Sequence, residues 1–224
     1  MYPELYNVRF VQSDEASYEA MVALRTCVDR FRMLAVDTET TGLDPKKSDL
    51  VLLTIATPDT AYVFTPQGVS SSIRDLLRSD TQSANLLHAA TFDWGFIAHH
   101  LDVQMITMYD TRRAQHAQGH RTTDSLKLSA QEWLGIAVDK SLQTQFVGKQ
   151  PPYNLTQQAI EYAAQDTLIL WPLFFAMRNE GGYALSDFVV LPEDIIATYD
   201  YINGDAPWPN TREYPSLTQK LPGS

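Results

Sequence analysis

Two acidic residues close a short apolar run near the beginning of the chain. Asp37 and Glu39 follow the apolar residues 33–36 and are separated by one residue. On an extended strand, residues two apart point to the same face, so both carboxylates are expected to project together from the strand's end. Two like charges so placed are unfavourable unless a cation lies between them, and Mg²⁺ and Mn²⁺ prefer carboxylate oxygens. The pair therefore predicts a metal site, with a polar loop after a strand as the alternative.

A second signal lies in the segment LLHAATFDWGFI. Here an apolar run ends near His88, and Asp93 opens a helical pattern immediately afterwards. Asp93 therefore follows the carboxyl end of a predicted strand, where site residues are expected. A carboxylate that caps the first turn of the following helix is the alternative.

A third signal is the pair Tyr162 and Asp166 in the segment IEYAAQDTLILWPLF. Residues four apart on a helix share one face, so the phenol and the carboxylate are expected to lie one turn from each other. The alternative is a partly buried tyrosine beside a surface aspartate.

Apolar patterns predict the strands and helices that must position these side chains. Strands are predicted over residues 8–11, 33–37, 49–57, 60–65, 84–89 and 104–110. Helices are predicted from a cap at Asp14 to about Arg32 and over residues 71–79, 92–101, 124–134 and 156–180. Pro58-Asp59 is a turn pair, so the strands around it are predicted to form a hairpin. The pattern indicates an α/β sheet covered on both faces, with the site at the carboxyl ends of strands.

Composition limits the classes of protein to which the chain can belong. Its 224 residues are 44% hydrophobic, enough for one domain with a real core. The net charge of −10 argues against a broad basic face that coats long duplexes, although an acidic site loaded with cations can still hold one phosphodiester. Without a long apolar window or signal-peptide pattern, we expect a cytoplasmic protein with no membrane association. Cys27, the single cysteine, excludes an intrachain disulfide or cysteine-based zinc site and is predicted to be buried.

The character of the chain changes after about Ser186. The segment 203–224 has four prolines and few aliphatic residues. We therefore predict a main domain over residues 1–186 and a C-terminal extension or docking tail over residues 187–224. Trp208, between two prolines, could dock a polymerase, another protein or another subunit; a disordered end is the alternative.

Taken together, D-x-E, the helix-opening Asp and Y-x-x-x-D resemble the motifs of the DEDD superfamily of 3′–5′ exonucleases, in its tyrosine-bearing branch. The resemblance spans about residues 8–180. The segments TTDSLKLSAQEWLGI and DKSLQTQFV resemble flanking segments of the ribonuclease D group. The short chain is similar to the stand-alone nano-RNases of that branch. The resemblance implies a ribonuclease H-like fold, a mixed β-sheet with helices on both faces.

The resemblance also implies roles for individual residues. Four carboxylates would hold two divalent ions, Mg²⁺ or Mn²⁺, about 4 Å apart: Asp37, Glu39, Asp93 and Asp166. Tyr162 would orient the attacking water. Substrate contacts are implied for three further residues, Thr40, Leu43 and His88. Leu43 would wedge against the last base, with a core leucine as the alternative, and His88 has a packed or hydrogen-bonded histidine as its alternative.

The chain departs from the family pattern around the second and third motifs. Ala89 and Thr91 stand where the family commonly has Asn and Lys, Asp124 stands where it usually has His, and LQTQFV lacks the usual Ser and Trp. These changes leave the implied metal ligands whole but put the substrate preference in doubt. Five basic residues are best placed in sequence to approach phosphates, although each could be a solvated surface charge: Arg112, Arg113, Lys127, Lys140 and Lys149.

Three functions follow from these observations. The leading one is an exonuclease that releases nucleoside 5′-monophosphates from the 3′ ends of RNA or single-stranded DNA. The second is a proofreading or trimming module that works beside a separate DNA polymerase, and the third is a catalytically silent nucleic-acid-binding module. A homo-oligomer would gather scattered basic residues into a channel that the net charge conceals.

Overall fold

The strands and helices are seen in a computed structural model, which describes residues 7–78, 83–119, 125–138, 141–142 and 144–204. Six strands lie in these ranges: β1 Asn7–Val11, β2 Met33–Thr40, β3 Leu50–Ala56, β4 Thr60–Phe64, β5 Ala84–Leu87 and β6 Met108–Asp110. The α-helices are α1 Asp14–Phe31, α2 Ser71–Arg78, α3 Ala90–Leu101, α4 Thr111–Ala117, α5 Leu126–Leu134, α6 Gln157–Asn179, α7 Leu185–Phe188 and α8 Pro192–Asn203.

The strands form one mixed sheet in the order β1-β4-β3-β2-β5-β6. β3 pairs antiparallel with β2 and β4, and the predicted hairpin around Pro58-Asp59 is therefore confirmed. β2, β5 and β6 are parallel to one another. Their carboxyl ends consequently meet at one edge of the sheet, where ligands bind in open α/β sheets.

Both faces of the central sheet are covered. Every residue of β3, β4 and β5 is buried. Because alternate side chains of a strand point to opposite faces, complete burial requires packed helices or loops on each side. α6 packs against β2, β3 and β4, while α3 packs against β2, β3, β5 and β6. The predicted α/β architecture is confirmed.

Several predicted boundaries differ from the structure, by two residues for the end of β5 and the starts of α3 and α5. Ser13, not Asp14, caps α1, since its side chain accepts a hydrogen bond from the amide of Ala16. β2 extends to Thr40 because β3 continues to pair with it beyond Asp37. The strand predicted over 104–110 is only β6, because β5 offers just three residues to pair with it. Cys27 is buried as predicted, and burial raises the pKa of its thiol to about 12.

Part of the segment predicted as a C-terminal extension is folded onto the rest of the chain. α8 packs against α3, and α7 packs against α4 and β6. The division at residue 186 itself stays a prediction, and Trp208 lies outside the described residues. Of the helices in the described ranges, none is long and apolar enough to cross a membrane.

Candidate functional site

Asp37 and Glu39 lie near the carboxyl end of β2, and both are half-buried. They pair with Thr54 and Leu52 of β3, and the pairing register shifts immediately after Glu39. Because they are two residues apart on a strand, their side chains share one face. Thr38 lies between them, faces the other way and is buried.

Asp93 lies in the first turn of α3 and is buried. The hydroxyl of Thr38 donates a hydrogen bond to its Oδ1 at 2.6 Å, which joins the end of β2 to the start of α3. Burial raises the pKa of Asp93; the Thr38 hydroxyl opposes this by stabilising the charged form, and the nearby Asp110 carboxylate adds to it. A cation beside this carboxylate would offset the cost of its burial.

Asp110 also lies at the start of α3. Its carboxylate accepts hydrogen bonds from the amides of Ala89 at 3.0 Å and Ala90 at 2.6 Å. It also caps α4 by accepting from the amides of Arg112 and Arg113. Asp93 accepts a hydrogen bond from its own amide in the first turn of α3, so the capping alternative for Asp93 stays open. An Asp between an apolar run and a helical segment is a sequence signal for a cap of α4. Its contact with the start of α3 has no such signal.

Tyr162 and Asp166 lie one turn apart near the start of α6 and are both buried. The alternative of a surface aspartate is therefore wrong for Asp166. α6 packs along β2. Whether Tyr162 and Asp166 lie near the carboxylates of β2 depends on the direction in which α6 runs along the strand.

Three contacts establish that α6 runs opposite to β2. Phe31, two residues before β2, packs edge-on against Trp171 in the second half of α6, with ring centroids 5.5 Å apart. Arg178, near the end of α6, lines a cavity of about 390 Å³ together with Met33 at the start of β2. The indole Nε1 of Trp171 donates a hydrogen bond to the carbonyl of Ala56 at 3.0 Å. Ala56 of β3 pairs with Ala35 of β2. The first turns of α6 therefore lie beside the end of β2.

The same contacts give the direction of α6 but not a residue-by-residue register, because Trp171 contacts both Phe31 and the carbonyl of Ala56. Tyr162 and Asp166 lie in the part of α6 before Trp171. They are therefore on the side of the helix that leads toward the carboxyl end of β2, where Asp37 and Glu39 lie.

The three residues expected to contact substrate lie around the same edge. Nδ1 of His88, which follows β5, is 2.9 Å from the Thr111 hydroxyl, so the hydrogen-bonded reading of this histidine is confirmed. The hydroxyl of Thr40 donates to the carbonyl of Gly42 at 2.7 Å. Leu43 is 71% exposed, and the alternative of a core leucine is therefore wrong. Contact of these residues with substrate stays a prediction.

The basic residues divide into two groups. Arg112 and Arg113 are buried, so the surface-charge reading is wrong for both, and Nε of Arg113 lies 3.2 Å from Oδ2 of the buried Asp194. This ion pair occupies Arg113 with a structural partner. Lys127 and Lys149 are exposed, whereas Lys140 lies outside the described residues, as does Asp124.

The donor set suits a hard divalent cation. The four carboxylates predicted as ligands, on β2, α3 and α6, carry oxygen atoms of the kind that Mg²⁺ and Mn²⁺ prefer. Within the described ranges, Asp, Glu, His and Cys side chains do not form a group of three that could hold a metal ion. The negatively charged carboxylates repel one another, which keeps them apart. The carboxylate of Asp93 accepts its hydrogen bond from the Thr38 hydroxyl instead. The chemistry of the residues fits the metal implied by the motifs.

Solved structures with a similar fold are nucleases. Brucella melitensis NrnC superposes with a TM-score of 0.62 at 20% identity over 88% of this chain and 91% of NrnC. NrnC is also known with bound Mg²⁺ and bound to pGG. Escherichia coli RNase D, an exoribonuclease involved in structured RNA processing, superposes with a TM-score of 0.64 at 23% identity over 78% of this chain and 46% of RNase D. The fold is that of ribonuclease H-like exonucleases.

Sequence comparison leads to the same family. The exosome complex component 10 homolog of Drosophila melanogaster is 32% identical over 108 residues, which are 48% of this chain but only 12% of that relative. A family model described as 3′–5′ exonuclease matches residues 8–181, a range that contains every predicted site residue. Because this match covers most of the chain, the protein belongs to the 3′–5′ exonuclease family.

Proposed function

We propose that this 3′–5′ exonuclease is of the tyrosine-bearing DEDD type and hydrolyses RNA or single-stranded DNA from its 3′ end, releasing nucleoside 5′-monophosphates. The observation that supports the proposal is the packing of α6 against β2 in the opposite direction. It favours a position for Tyr162 and Asp166 toward the edge where β2, β5 and β6 end. One strand and one helix thus supply four of the five groups.

The carboxylates are assigned to metal binding. Asp37, Glu39, Asp93 and Asp166 would hold two divalent ions, which would stabilise the charge on the attacking and leaving oxygens. The chain's own contribution is to fix where these donors lie. Asp93 is held to β2 by the Thr38 hydroxyl, and the position of α3 is held by Asp110 through the first amides of the helix.

Tyr162 is assigned to positioning the attacking water. Its side chain is buried on the same face of α6 as Asp166, one turn away. A phenol both donates and accepts hydrogen bonds, so it can hold a water in line with the phosphorus. Loss of the hydroxyl should therefore affect turnover and leave the carboxylates unchanged.

Short or single-stranded RNA ends are the favoured substrate. NrnC is known bound to pGG, and RNase D is an exoribonuclease. The net charge of −10 opposes a long electrostatic footprint, since each phosphate contact would need a compensating basic residue. The exposed Leu43 offers an apolar surface that can pack on any terminal base without reading sequence. Thr40 and His88 complete the proposed contacts.

Other assignments rest on the sequence alone. A cytoplasmic location, a homo-oligomer and a partner docked through the tail remain our proposals. Preference for DNA would favour the module that works beside a polymerase. Hydrolysis of RNA and single-stranded DNA measured side by side distinguishes that outcome from the leading proposal.

The test is a time course with 5′-labelled RNA and single-stranded DNA, with Mg²⁺, Mn²⁺ or EDTA. Asp37→Ala and Asp166→Asn remove single carboxylates, and Asp29→Asn, an exposed carboxylate of α1, is the matched control. We expect a metal-dependent ladder that shortens from the 3′ end, lost in both site variants and kept in the control. Intact substrate with the wild-type protein in every condition would overturn the proposal in favour of a silent binding module.

A further inference from the structure

We propose that α8 positions the loop between β2 and β3 for substrate binding, with Tyr201 as the positioning residue. The 41–48 loop, defined as residues 41–48, follows the paired carboxylates of β2 and carries Leu43. α8 lies at Pro192–Asn203, beyond the residues 8–181 that match the family model. The inference rests on the proposed function, because it concerns how the 3′ end of the substrate is held.

Contacts from α8 hold the apex of the 41–48 loop. The hydroxyl of Tyr201 donates a hydrogen bond to the carboxylate of Asp44. Nζ of Lys46 donates to the carbonyl of Gly204, just after α8, at 2.6 Å, and lies 4.6 Å from the centroid of the Tyr201 ring. The Asp44 carboxylate also accepts from the amide of Lys46 at 3.0 Å. Two residues of the loop, Asp44 and Lys46, are thereby held by a remote part of the chain.

Different elements hold the base of the loop. The amide of Gly148 donates to the carbonyl of Thr41 at 2.8 Å, and Nε2 of His100 lies 3.0 Å from the carbonyl of Ser48. A Cβ at Gly42 would lie 2.5 Å from Oγ of Ser48, so the two ends of the loop approach closely there. The base is therefore fixed by α3 and by the segment before α6, and the apex by α8.

α8 is itself anchored firmly enough to act as a support. Its first turn contributes Asp194 to the buried ion pair with Arg113. Further along, Thr198 and Tyr201 are buried, and the ring of Tyr199 packs on Trp94, with centroids 6.3 Å apart. A buried ion pair at one end and packed aromatic rings further along resist displacement, because moving the helix would leave a buried charge without its partner.

The consequence for function lies at Leu43. This residue is next to Asp44 and is 71% exposed, so its own packing does little to hold it in one place. Its position relative to a terminal base depends on the backbone of residues 43–46. Because α8 already orders the backbone of the loop, less conformational entropy is lost when substrate binds. We therefore expect α8 to affect substrate binding more than the chemical step.

The test variant is Tyr201→Phe, which removes the hydrogen bond to Asp44 and keeps the ring under Lys46. We expect KM for a short RNA to rise about 3- to 10-fold, with kcat changed by less than about twofold. Tyr18→Phe, at an exposed position of α1, is the matched control for loss of a tyrosine hydroxyl and should leave both constants unchanged. Asp44→Ala combined with Tyr201→Phe should raise KM by clearly less than the product of the two single effects, because both changes remove the same hydrogen bond.

A readout that does not need hydrolysis is trypsin cleavage at Lys46 and Lys47, measured well below the melting temperature. We expect faster cleavage there in Tyr201→Phe, with the melting temperature close to that of wild type. Unchanged KM in an active enzyme, or an equal loss in kcat together with lowered global stability, overturns the inference alone. A wild-type protein that hydrolyses no substrate overturns the proposed function and, with it, this role of α8.

Discussion

The hydroxyl of Thr38 donates to Oδ1 of Asp93 across 2.6 Å, although the two residues are 55 positions apart in the chain. Thr38 lies between the paired carboxylates of β2, so its backbone also fixes the spacing of Asp37 and Glu39. One side chain of β2 therefore sets the position of Asp93, while the two neighbouring residues supply carboxylates of their own. The hydrogen bond between Thr38 and Asp93 thus connects the D-x-E segment of β2 directly to the first turn of α3.

Replacing Thr38 by Val should destabilise the protein and disturb the position of Asp93. Valine keeps the shape but leaves a buried carboxylate without the hydroxyl donor, which costs about 1–3 kcal/mol of unfolding free energy. Thr38→Ser keeps the donor and should cost clearly less than Thr38→Val. Urea unfolding in EDTA measures both. Equal losses in the two variants would mean that the methyl group, rather than the hydroxyl, is the important part of Thr38.

The stabilisation that Mg²⁺ gives should depend on pH. Burial, aided by Asp110, raises the pKa of Asp93 to about 7, so between about pH 4 and 7 the folded chain holds a proton that the unfolded chain has lost. By linkage, this group's contribution to the unfolding free energy falls as pH rises through that range. A cation removes the cost of the charge. The rise in melting temperature on adding Mg²⁺ should thus be larger at pH 8 than at pH 5.

Asp93→Asn is the control for this pH dependence. The amide cannot titrate, so in EDTA the variant should lose less stability between pH 5 and pH 8 than the wild-type protein does. It should also bind Mg²⁺ more weakly, because a carboxylate ligand is gone. A wild-type Mg²⁺ effect of the same size at both pH values would contradict the assignment of Asp93 as the titrating ligand.

The sequence sufficed to predict features that depend on local patterns. The spacing of Asp37 and Glu39 predicted a shared face at a strand's end, and the Pro58-Asp59 pair predicted the hairpin; the structure has both on the sheet as expected. The long apolar stretch over 156–180 predicted α6 almost to its ends. Short-range periodicity specifies such elements because each one forms contacts mainly through its own repeating face.

Features that depend on distant contacts could not be predicted in this way. Asp110 stabilises two helices at once, and Arg113 is buried because Asp194, 81 positions later, pairs with it. Neither partner is visible from local spacing. α8 falls in the segment predicted as an extension, because proline-rich sequence follows it; the structure packs α8 against α3 and joins Tyr201 to Asp44 of the 41–48 loop. Local composition does not show such contacts.

Replacing Asp110 by Ala should weaken both folding and metal binding. Its carboxylate accepts from four backbone amides at the starts of α3 and α4. Loss of these acceptors in a buried place should cost about 3 kcal/mol or more of unfolding free energy, more than an ordinary helix cap. Mg²⁺ affinity should also fall, because α3 carries Asp93. Urea unfolding and calorimetric titration measure the two effects.

Ser125→Ala supplies the comparison for Asp110→Ala. The Ser125 side chain accepts from the amide of Leu128 at 3.3 Å and caps α5 alone, so its removal should cost about 1 kcal/mol and leave Mg²⁺ affinity unchanged. A similar small loss for Asp110→Ala, with normal Mg²⁺ binding, would show that water or neighbouring groups take over its acceptor role.

Tyr162→Phe separates the positioning of water from the binding of metal and substrate. The ring remains buried on α6, so the fold and the four carboxylates should be unaffected, whereas the attacking water loses a hydrogen-bond partner. If Tyr162 has the proposed role, kcat should fall about 10- to 1000-fold, in the range seen when one group that stabilises or orients the reaction is removed, with Mg²⁺ affinity and KM nearly unchanged. Tyr18→Phe, at an exposed position of α1, should be neutral. Loss of Mg²⁺ binding in Tyr162→Phe would assign the phenol to the metal site itself, because only a group that holds the ligands in place could then account for the lost activity.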